Sequence, residues 1–249
     1  MTGRERVTRR AMLLGAGGLA AAGGALASGY GIAQATDSSK SSAQLLQALA
    51  TPPPGEDLMA DHGLLIRVLL IYRHLNASAA AGQPVQAAHL HDSALIIHDY
   101  IEAFHEELEE AYVFPRLQRA GRLTDTVATL LLQHARGREL TQLILADTGG
   151  SGSLRTAVAG PVTSAMAAFV RMYEPHEARE DTVVYPAFRA ILSPTEIAEL
   201  GQQFAELEHE QFGDAGFTAM VSRVAQIEQA LGIYNLAEFT PANITPPAS

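Results

Sequence analysis

The sequence predicts an all-α protein: an antiparallel up-down four-helix bundle with additional C-terminal helices. Three observations support this fold. Ala, Leu and Glu, which favour helices, are abundant in the 249-residue chain. No stretch alternates apolar and polar residues as a half-buried strand does. Four long helical segments are joined by short turns, which place consecutive helices antiparallel.

The first helix begins after the break "PPPG" and carries apolar residues at a helical period: Leu58, Leu65, Leu69 and Tyr72. The second helix is predicted over 85–119, with a bend near Pro115 because a proline removes a helical hydrogen bond. The third is predicted over 125–147. The fourth is predicted over 154–192, after a Gly/Ser-rich loop.

The C-terminal part predicts two further helices. "SPTE", from Ser193 to Glu196, combines an N-cap, a proline in the first turn and a Glu three residues after the cap. We expect one helix from there to about Phe212 and another over 217–231, followed by a Pro-rich tail. The predicted domains are a signal, a linker with a short helix, the bundle, the helical extension and a disordered tail: 1–35, 36–55, 56–192, 193–240 and 241–249.

The N-terminal segment predicts export. "TRRAMLL" places Arg9 and Arg10 before an apolar, Gly/Ala-rich run that ends near "AQA" at 33–35. A charged region, an apolar run and small residues at a cleavage position are typical of a signal peptide. The paired arginines resemble the twin-arginine signal, so we expect the periplasm or cell envelope of a bacterium. If the segment stays uncleaved, it is the one part of the chain expected in the membrane.

Composition excludes several kinds of site. The chain has no Cys, which excludes disulfides, thiolate zinc sites and a Cys nucleophile. Four of its 17 basic residues but only one of its 27 acidic residues lie in 1–35, so the remainder carries 13 basic and 26 acidic residues. Such a surface repels phosphate backbones, and we expect no nucleic-acid partner.

One phrase occurs twice. "FHEELEEAYVFP" at 104–115 recurs as "PHEAREDTVVYP" at 175–186. Residues four apart share a helix face, so each copy directs one imidazole and one carboxylate the same way. His followed four residues later by an acid is expected about once by chance in this composition. It occurs three times: at His98–Glu102, His105–Glu109 and His176–Glu180.

Two single histidines complete the pattern. His62 lies in the apolar first helix, and His134 follows a run of leucines in the third. A lone His on an apolar face is often only a core residue. Here, however, the four helices together offer four imidazoles and two carboxylates, and buried carboxylates need a cation. This donor set suits two iron ions, although manganese or zinc also fits it.

The chain resembles the hemerythrin-like, or HHE cation-binding, family over about 58–192. The resemblance depends on "DH" at 61–62, on the two copies of the repeat and on "QHARGREL" at 133–140. It implies a four-helix bundle that holds a non-haem di-iron centre, bridged by Glu109 and Glu180. The implied ligands are His62, His105, Glu109, His134, His176 and Glu180, with Glu106 as a further candidate.

The third helix departs from the family pattern. Oxygen-carrying hemerythrins have a second His four residues after the first, whereas Arg138 follows His134 here. The carboxylate after His176 is Glu180 at the fourth position rather than Asp at the fifth, although Asp181 occupies that position. Both changes make the centre richer in carboxylate. Binding of oxygen, nitric oxide or iron itself and peroxide chemistry therefore become equally consistent with the pattern.

Three alternatives remain open. The first is a peroxide- or oxygen-consuming oxidoreductase that uses the same centre. The second is a metal-free helical module whose C-terminal extension binds a partner. The third is a ferritin-like di-iron site built from Glu-x-x-His motifs. Two such motifs occur, Glu102 to His105 and Glu206 to His209, but this reading leaves three other histidines unexplained: His62, His134 and His176.

Overall fold

The structure is a computed structural model that describes residues 51–149 and 160–241. Within these residues the regular elements are helical and no strand occurs, which confirms the predicted all-α class. The predicted signal at 1–35, most of the linker at 36–55 and nearly all of the tail at 241–249 lie outside the described residues.

Four long helices come first. Helix α1 spans Pro54–Ala80, α2 spans residues 87–119, α3 spans Thr124–Thr148 and α4 spans residues 160–190. The bounds predicted for α1 to α3 agree with these to within two residues. The predicted first turn of α4 lies in the part of the chain that the structure does not describe.

Helices α2 and α4 are not α-helical throughout. Helix α2 contains two π-helical stretches, Ile97–His105 and Glu109–Val113, and α4 contains one, Glu180–Val184. π-Helical turns are rare and occur mostly at functional sites. The two shorter stretches here begin at the carboxylates of the sequence repeat.

The repeat explains where these two turns end. In each copy the N–H of the aromatic residue bonds the carbonyl of the Glu five residues before it: Phe114 to Glu109 and Tyr185 to Glu180. A proline follows each aromatic residue, and its ring clashes with the carbonyl four residues earlier in a regular α-helix. The widened turn relieves that clash, so α2 continues through Pro115, where the sequence predicted a bend.

The long helices enclose the core. Helix α1 packs against α2, α2 against α3 and α3 against α4, and α4 returns to pack against α1. Leu58, Leu65, Leu69 and Tyr72, the residues predicted to share the apolar face of α1, are all at most 3% exposed. Among the described residues, no helix is both long and apolar enough to cross a membrane.

Two further helices cover α1 and α2. Helix α5 spans Pro194–Phe212, and α6 spans Gly216–Leu231 after a single 3₁₀ turn. The predicted cap of α5 is confirmed, since Ser193 and Glu196 form a reciprocal capping box. Helix α6 buries Val224 and Ile227 and lies along α1 and α2.

Candidate metal centre

The six residues predicted as principal ligands meet in the interior of the helices. Helix α1 supplies one, α2 two, α3 one and α4 two. None is more than 4% exposed: His62, His105, Glu109, His134, His176 and Glu180. Buried carboxylates and imidazoles are costly unless they are paired or bind a metal.

Glu109 lies between histidines of two helices. Its Oε2 atom is 3.6 Å from Nε2 of His105 on α2 and 3.4 Å from Nε2 of His134 on α3. Glu109 Oε2 and His134 Nε2 are buried and make no hydrogen bond. The 3.4 Å between these two atoms is a separation that two donors bound to the same cation would have.

Glu180 repeats this arrangement from the opposite side. Its Oε2 atom is 3.3 Å from Nε2 of His62 on α1 and 3.1 Å from Nε2 of His176 on α4. Both carboxylate oxygens of Glu180 are buried and make no hydrogen bond. Each of the two glutamates thus connects histidines that belong to different helices.

The donor atoms form two overlapping groups that could hold metal ions. One group is His62, His105 and Glu109; the other is Glu109, His134, His176 and Glu180. Within each group the donor atoms all lie within 4.8 Å of one another. Because the groups share Glu109, the geometry suits two neighbouring cations joined by a carboxylate.

The Nδ1 atom of each of the four histidines of the centre faces an oxygen acceptor. This contact favours a hydrogen on Nδ1, so that the neutral ring directs its Nε2 lone pair at the centre. Such partners fix the orientation and the tautomer of metal-binding histidines. The pairs are His62 with Asp181 (2.7 Å), His105 with Asp61 (3.3 Å), His134 with Glu110 (2.9 Å) and His176 with Gln133 (2.8 Å).

Sequence reasoning did not assign these four acceptors, yet their positions carry a signal. Asp61 and Gln133 directly precede the single histidines of α1 and α3. Glu110 and Asp181 directly follow the glutamates of the repeat. The two halves of the centre therefore use equivalent positions, and an acceptor beside each predicted ligand is the feature that could have identified them.

The buried histidines and carboxylates of the centre shift one another's pKa values. Burial opposes a charge on His134, but the carboxylates of Glu109 and Glu110 outweigh it and raise its pKa to about 10. The pKa of His62 is likewise raised, against burial, by Asp181 and Glu180. Burial alone would raise the pKa of Glu180, but the imidazoles of His176 and His62 hold it below its ordinary value. In the absence of metal, protons on His62 and His134 therefore balance part of the negative charge of the carboxylates.

Glu106 lies on the outer side of His134. Its Oε1 accepts a hydrogen bond from Tyr173 at 2.6 Å, and its Oε2 pairs with Arg138 at 2.9 Å. Its Oε2 is 4.0 Å from Nδ1 of His134, not from the inward-facing Nε2. Glu106, Glu110 and His134 form a third group of possible ligands. Arg138, four residues after His134, lies 2.9 Å from a carboxylate oxygen of each of these glutamates and neutralises both.

Tyr185 is a residue of the centre that sequence reasoning missed. Its hydroxyl donates to Oε1 of Glu109 at 2.8 Å and lies 3.2 Å from Nε2 of His62. Its ring also borders a cavity of about 270 Å³, lined by apolar residues such as Met59 and Phe188. Tyr185 thus contacts both the buried donors and this cavity, which is lined by the start of α1, the end of α4 and Ile197 of α5.

The alternative Glu-x-x-His motif of α5, Glu206 to His209, lies on the surface and not at the centre. His209 is 66% exposed and pairs with Asp214 at 3.3 Å, and Glu206 is exposed as well. His98 is also partly exposed and pairs with Asp99. The structure does not bring these residues to the centre.

Comparison with known proteins identifies relatives of this chain. It is 48% identical over 187 residues to the uncharacterized protein Rv1995 of Mycobacterium tuberculosis (strain H37Rv), and equally to the uncharacterized protein Mb2018 of Mycobacterium bovis. The matched region covers 75% of this chain and 73% of each relative. No protein-family model matches the chain, and no solved structure does. At this identity and coverage, the chain belongs to the same family as these mycobacterial proteins.

Proposed function

We propose that the chain is an exported hemerythrin-like protein, in which an antiparallel up-down four-helix bundle holds a non-haem di-iron centre that binds or senses oxygen, nitric oxide or iron. One observation carries the proposal. An oxygen of Glu109 and an oxygen of Glu180 each lie 3.1–3.6 Å from the Nε2 atoms of two histidines on different helices.

These separations fit donors that share an ion. Two donors bound at about 2.1 Å to one ion lie about 3.0–3.4 Å apart in tetrahedral or octahedral geometry. The distances around both glutamates fall in or near this range without any movement of the helices. Cations would also compensate the buried carboxylate oxygens that make no hydrogen bond.

The donor types favour a transition metal. Imidazole nitrogen suits iron and zinc, whereas a site of oxygen atoms alone would suit magnesium or calcium. The resemblance to hemerythrin-like proteins singles out iron, and manganese and zinc remain outcomes of metal analysis. A pair of iron ions supplies reversible exchange of electrons with a small bound molecule. The expected partner is therefore a small diatomic ligand or peroxide.

The protein's own residues prepare such a centre. The acceptors at the Nδ1 atoms hold the four imidazoles with their Nε2 atoms inward. The burial of all six donors excludes bulk water. Arg138 neutralises Glu106 and Glu110 close to the centre but cannot ligate a cation itself.

The finer fold and the location belong to the same proposal. The packing of α1 to α4 in sequence, with α4 returning to α1, supports a four-helix bundle. The paired arginines and the apolar run at the N-terminus support export by a twin-arginine route to the periplasm.

A second candidate function is supported by the cavity outside Tyr185. A peroxide- or oxygen-consuming oxidoreductase needs space for a substrate or reductant near the centre. The cavity of about 270 Å³ offers such a space, and Tyr185 connects its wall to Glu109. Lasting turnover of peroxide or oxygen by the iron-loaded protein would favour this function over reversible binding.

Metal analysis tests the proposal. Protein purified without added iron is assayed for iron, and its absorption spectrum is recorded under anaerobic reduction, after oxygen and under vacuum. We expect about two irons per chain and a spectrum that responds to oxygen. Less than one metal ion per chain would contradict the proposal and favour a metal-free helical module.

Substitution of His176 adds a test of the site. His176→Ala leaves Glu180 without one of its two imidazoles, so we expect loss of iron and a lower melting temperature. Removing one partner of a buried charged pair costs about 3–5 kcal/mol. His209→Ala is the matched control, since His209 is 66% exposed and should retain both iron and stability.

A further inference from the structure

The two copies of the sequence repeat differ in the aromatic residue near their ends, and the proposed centre does not explain this difference. Both copies end in Val-aromatic-Pro, but the aromatic residue is Phe114 in the first copy and Tyr185 in the second. The two side chains are buried at equivalent places. Phe114 packs on His134 with ring centroids 5.6 Å apart, and Tyr185 packs on His62 at 5.5 Å. The two halves therefore differ here by a single hydroxyl.

That hydroxyl lies among the donor atoms of one half. It is 2.8 Å from Oε1 of Glu109 and 3.2 Å from Nε2 of His62. The second distance is close to the 3.3 Å between the same Nε2 atom and Oε2 of Glu180. Two donors that bind one ion at about 2.1 Å are separated by about 3.0–3.4 Å. The phenol oxygen thus has the spacing of a further ligand.

We propose that Tyr185 Oη is a protein ligand of the ion held by His62 and His105, so that the two metal positions are chemically different. This inference rests on the proposed dinuclear centre. As metal is loaded, the O–H bond of Tyr185 breaks and its electron pair forms the bond to the ion. The proton leaves to bulk water, and no electron is transferred. A coordinated cation deprotonates acidic ligands in this way.

The difference distinguishes the two metal positions. The ion at His62 and His105 would have those imidazoles, Glu109 and Tyr185 as donors. The ion at His134 and His176 would have those imidazoles, Glu109 and Glu180, and no phenol, because Phe114 offers no oxygen. The two positions would therefore differ in the chemical type of their donors.

Spectroscopy of iron-loaded protein tests the ligand. Wild type, Tyr185→Phe and Tyr173→Phe are loaded anaerobically with ferrous iron and then oxidised, and iron is counted in each. We expect a visible phenolate-to-iron charge-transfer band, with phenolate modes in resonance Raman, in wild type. The band, compared per bound iron, should be lost in Tyr185→Phe, a substitution that the fold already accepts at the equivalent position 114.

Tyr173→Phe is the matched control. Tyr173 is a buried tyrosine near the centre whose hydroxyl donates to Glu106 at 2.6 Å, so its variant should keep the band. Zinc binding tests the same ligand without redox chemistry. Zinc should produce the ultraviolet difference spectrum of tyrosine ionisation in wild type and in Tyr173→Phe, but not in Tyr185→Phe.

The outcomes separate the two proposals. Two irons per chain with no charge-transfer band in wild type, or a band that survives in Tyr185→Phe, would overturn the tyrosine ligand and leave the dinuclear centre intact. Tyr185 would then act only as a hydrogen-bond donor to Glu109. Wild-type protein that binds less than one iron per chain would instead overturn the proposed function.

Discussion

Gln133 Oε1 lies 2.8 Å from Nδ1 of His176, across the contact between α3 and α4. An amide oxygen only accepts hydrogen bonds, so it favours the tautomer of the neutral ring that carries its hydrogen on Nδ1 and its lone pair on Nε2. That Nε2 atom faces Oε2 of Glu180 at 3.1 Å. Gln133, which is not one of the predicted ligands, thus orients the ring of His176 so that its Nε2 atom faces Glu180.

Replacing Gln133 should weaken metal binding without removing a ligand. Gln133→Leu deprives His176 of its acceptor, and loss of such a partner typically costs 10–100-fold in metal affinity. The affinity is measured by zinc titration against a competing chelator. Gln118→Leu is the control, because Gln118 is exposed on the last turn of α2. Equal affinities of the two variants would show that Gln133 does not orient His176.

Metal affinity should rise steeply with pH. With a pKa of about 10, His134 is protonated in the metal-free protein at neutral pH, and metal must displace that proton. Each displaced proton makes the apparent affinity about tenfold greater per pH unit below that pKa. Zinc titration in weakly buffered solution at pH 7 should therefore release at least one proton per chain. Binding without proton release would contradict the protonation of His134.

Glu102 should make the metal-free protein less stable as the pH rises. Burial, opposed by the Thr141 hydroxyl and reinforced by Glu106, raises its pKa from 4.5 to about 7. Between these values the folded chain retains a proton that the unfolded chain loses. The stabilisation is thus complete below pH 4.5 and is lost as pH rises through 7.

Substitution by the neutral amide tests this effect. Glu102→Gln removes the charge, so the variant should exceed wild type in free energy of unfolding by about 3 kcal/mol at pH 8, at 1.36 kcal/mol per unit of pKa shift. The difference should shrink at pH 5. Denaturant unfolding of the metal-free proteins measures it. Glu107→Gln, at a 64% exposed position of the same helix, is the control for the substitution itself.

Sequence patterns were enough to predict the bounds of α1 to α3 and the six residues that lie together in the interior. Helical periods and turn residues marked α1 to α3 to within two residues, and Ser193 marked the cap of α5. The repeat identified its His–Glu pairs because residues four apart share a helix face whatever the neighbouring helix does. Those properties are local, so one sequence is enough to predict them.

Other features depend on how neighbouring helices align. The contact of Gln133 with His176 and that of Arg138 with Glu106 require a particular register between helices. The π turns also escaped prediction, since the sequence shows the proline but not how the helix accommodates it. The sequence also gave no sign of a role for Tyr185, because its hydroxyl acquires partners only when α4 packs on α1 and α2.

The contact of α3 with α4 next to the centre requires a glycine. A Cβ atom on Gly137 would lie 2.0 Å from Oη of Tyr173 and 2.8 Å from its Cζ. The Tyr173 ring cannot move aside easily, because it is 1% exposed and stacks on Phe169 at 4.3 Å. Its hydroxyl also holds Glu106 at 2.6 Å.

Gly137→Ala should therefore destabilise the protein, although Ala is the better helix former. Overpacking of this kind costs about 1–3 kcal/mol, measured as a loss in free energy of unfolding by denaturant. The same substitution at Gly63 of α1 is the matched control, since a Cβ there meets nothing within 4 Å. Gly63→Ala should stabilise by about 0.5–1 kcal/mol, because Ala loses less entropy in a helix. Equal effects of the two substitutions would mean that Tyr173 does not pack against Gly137 as described.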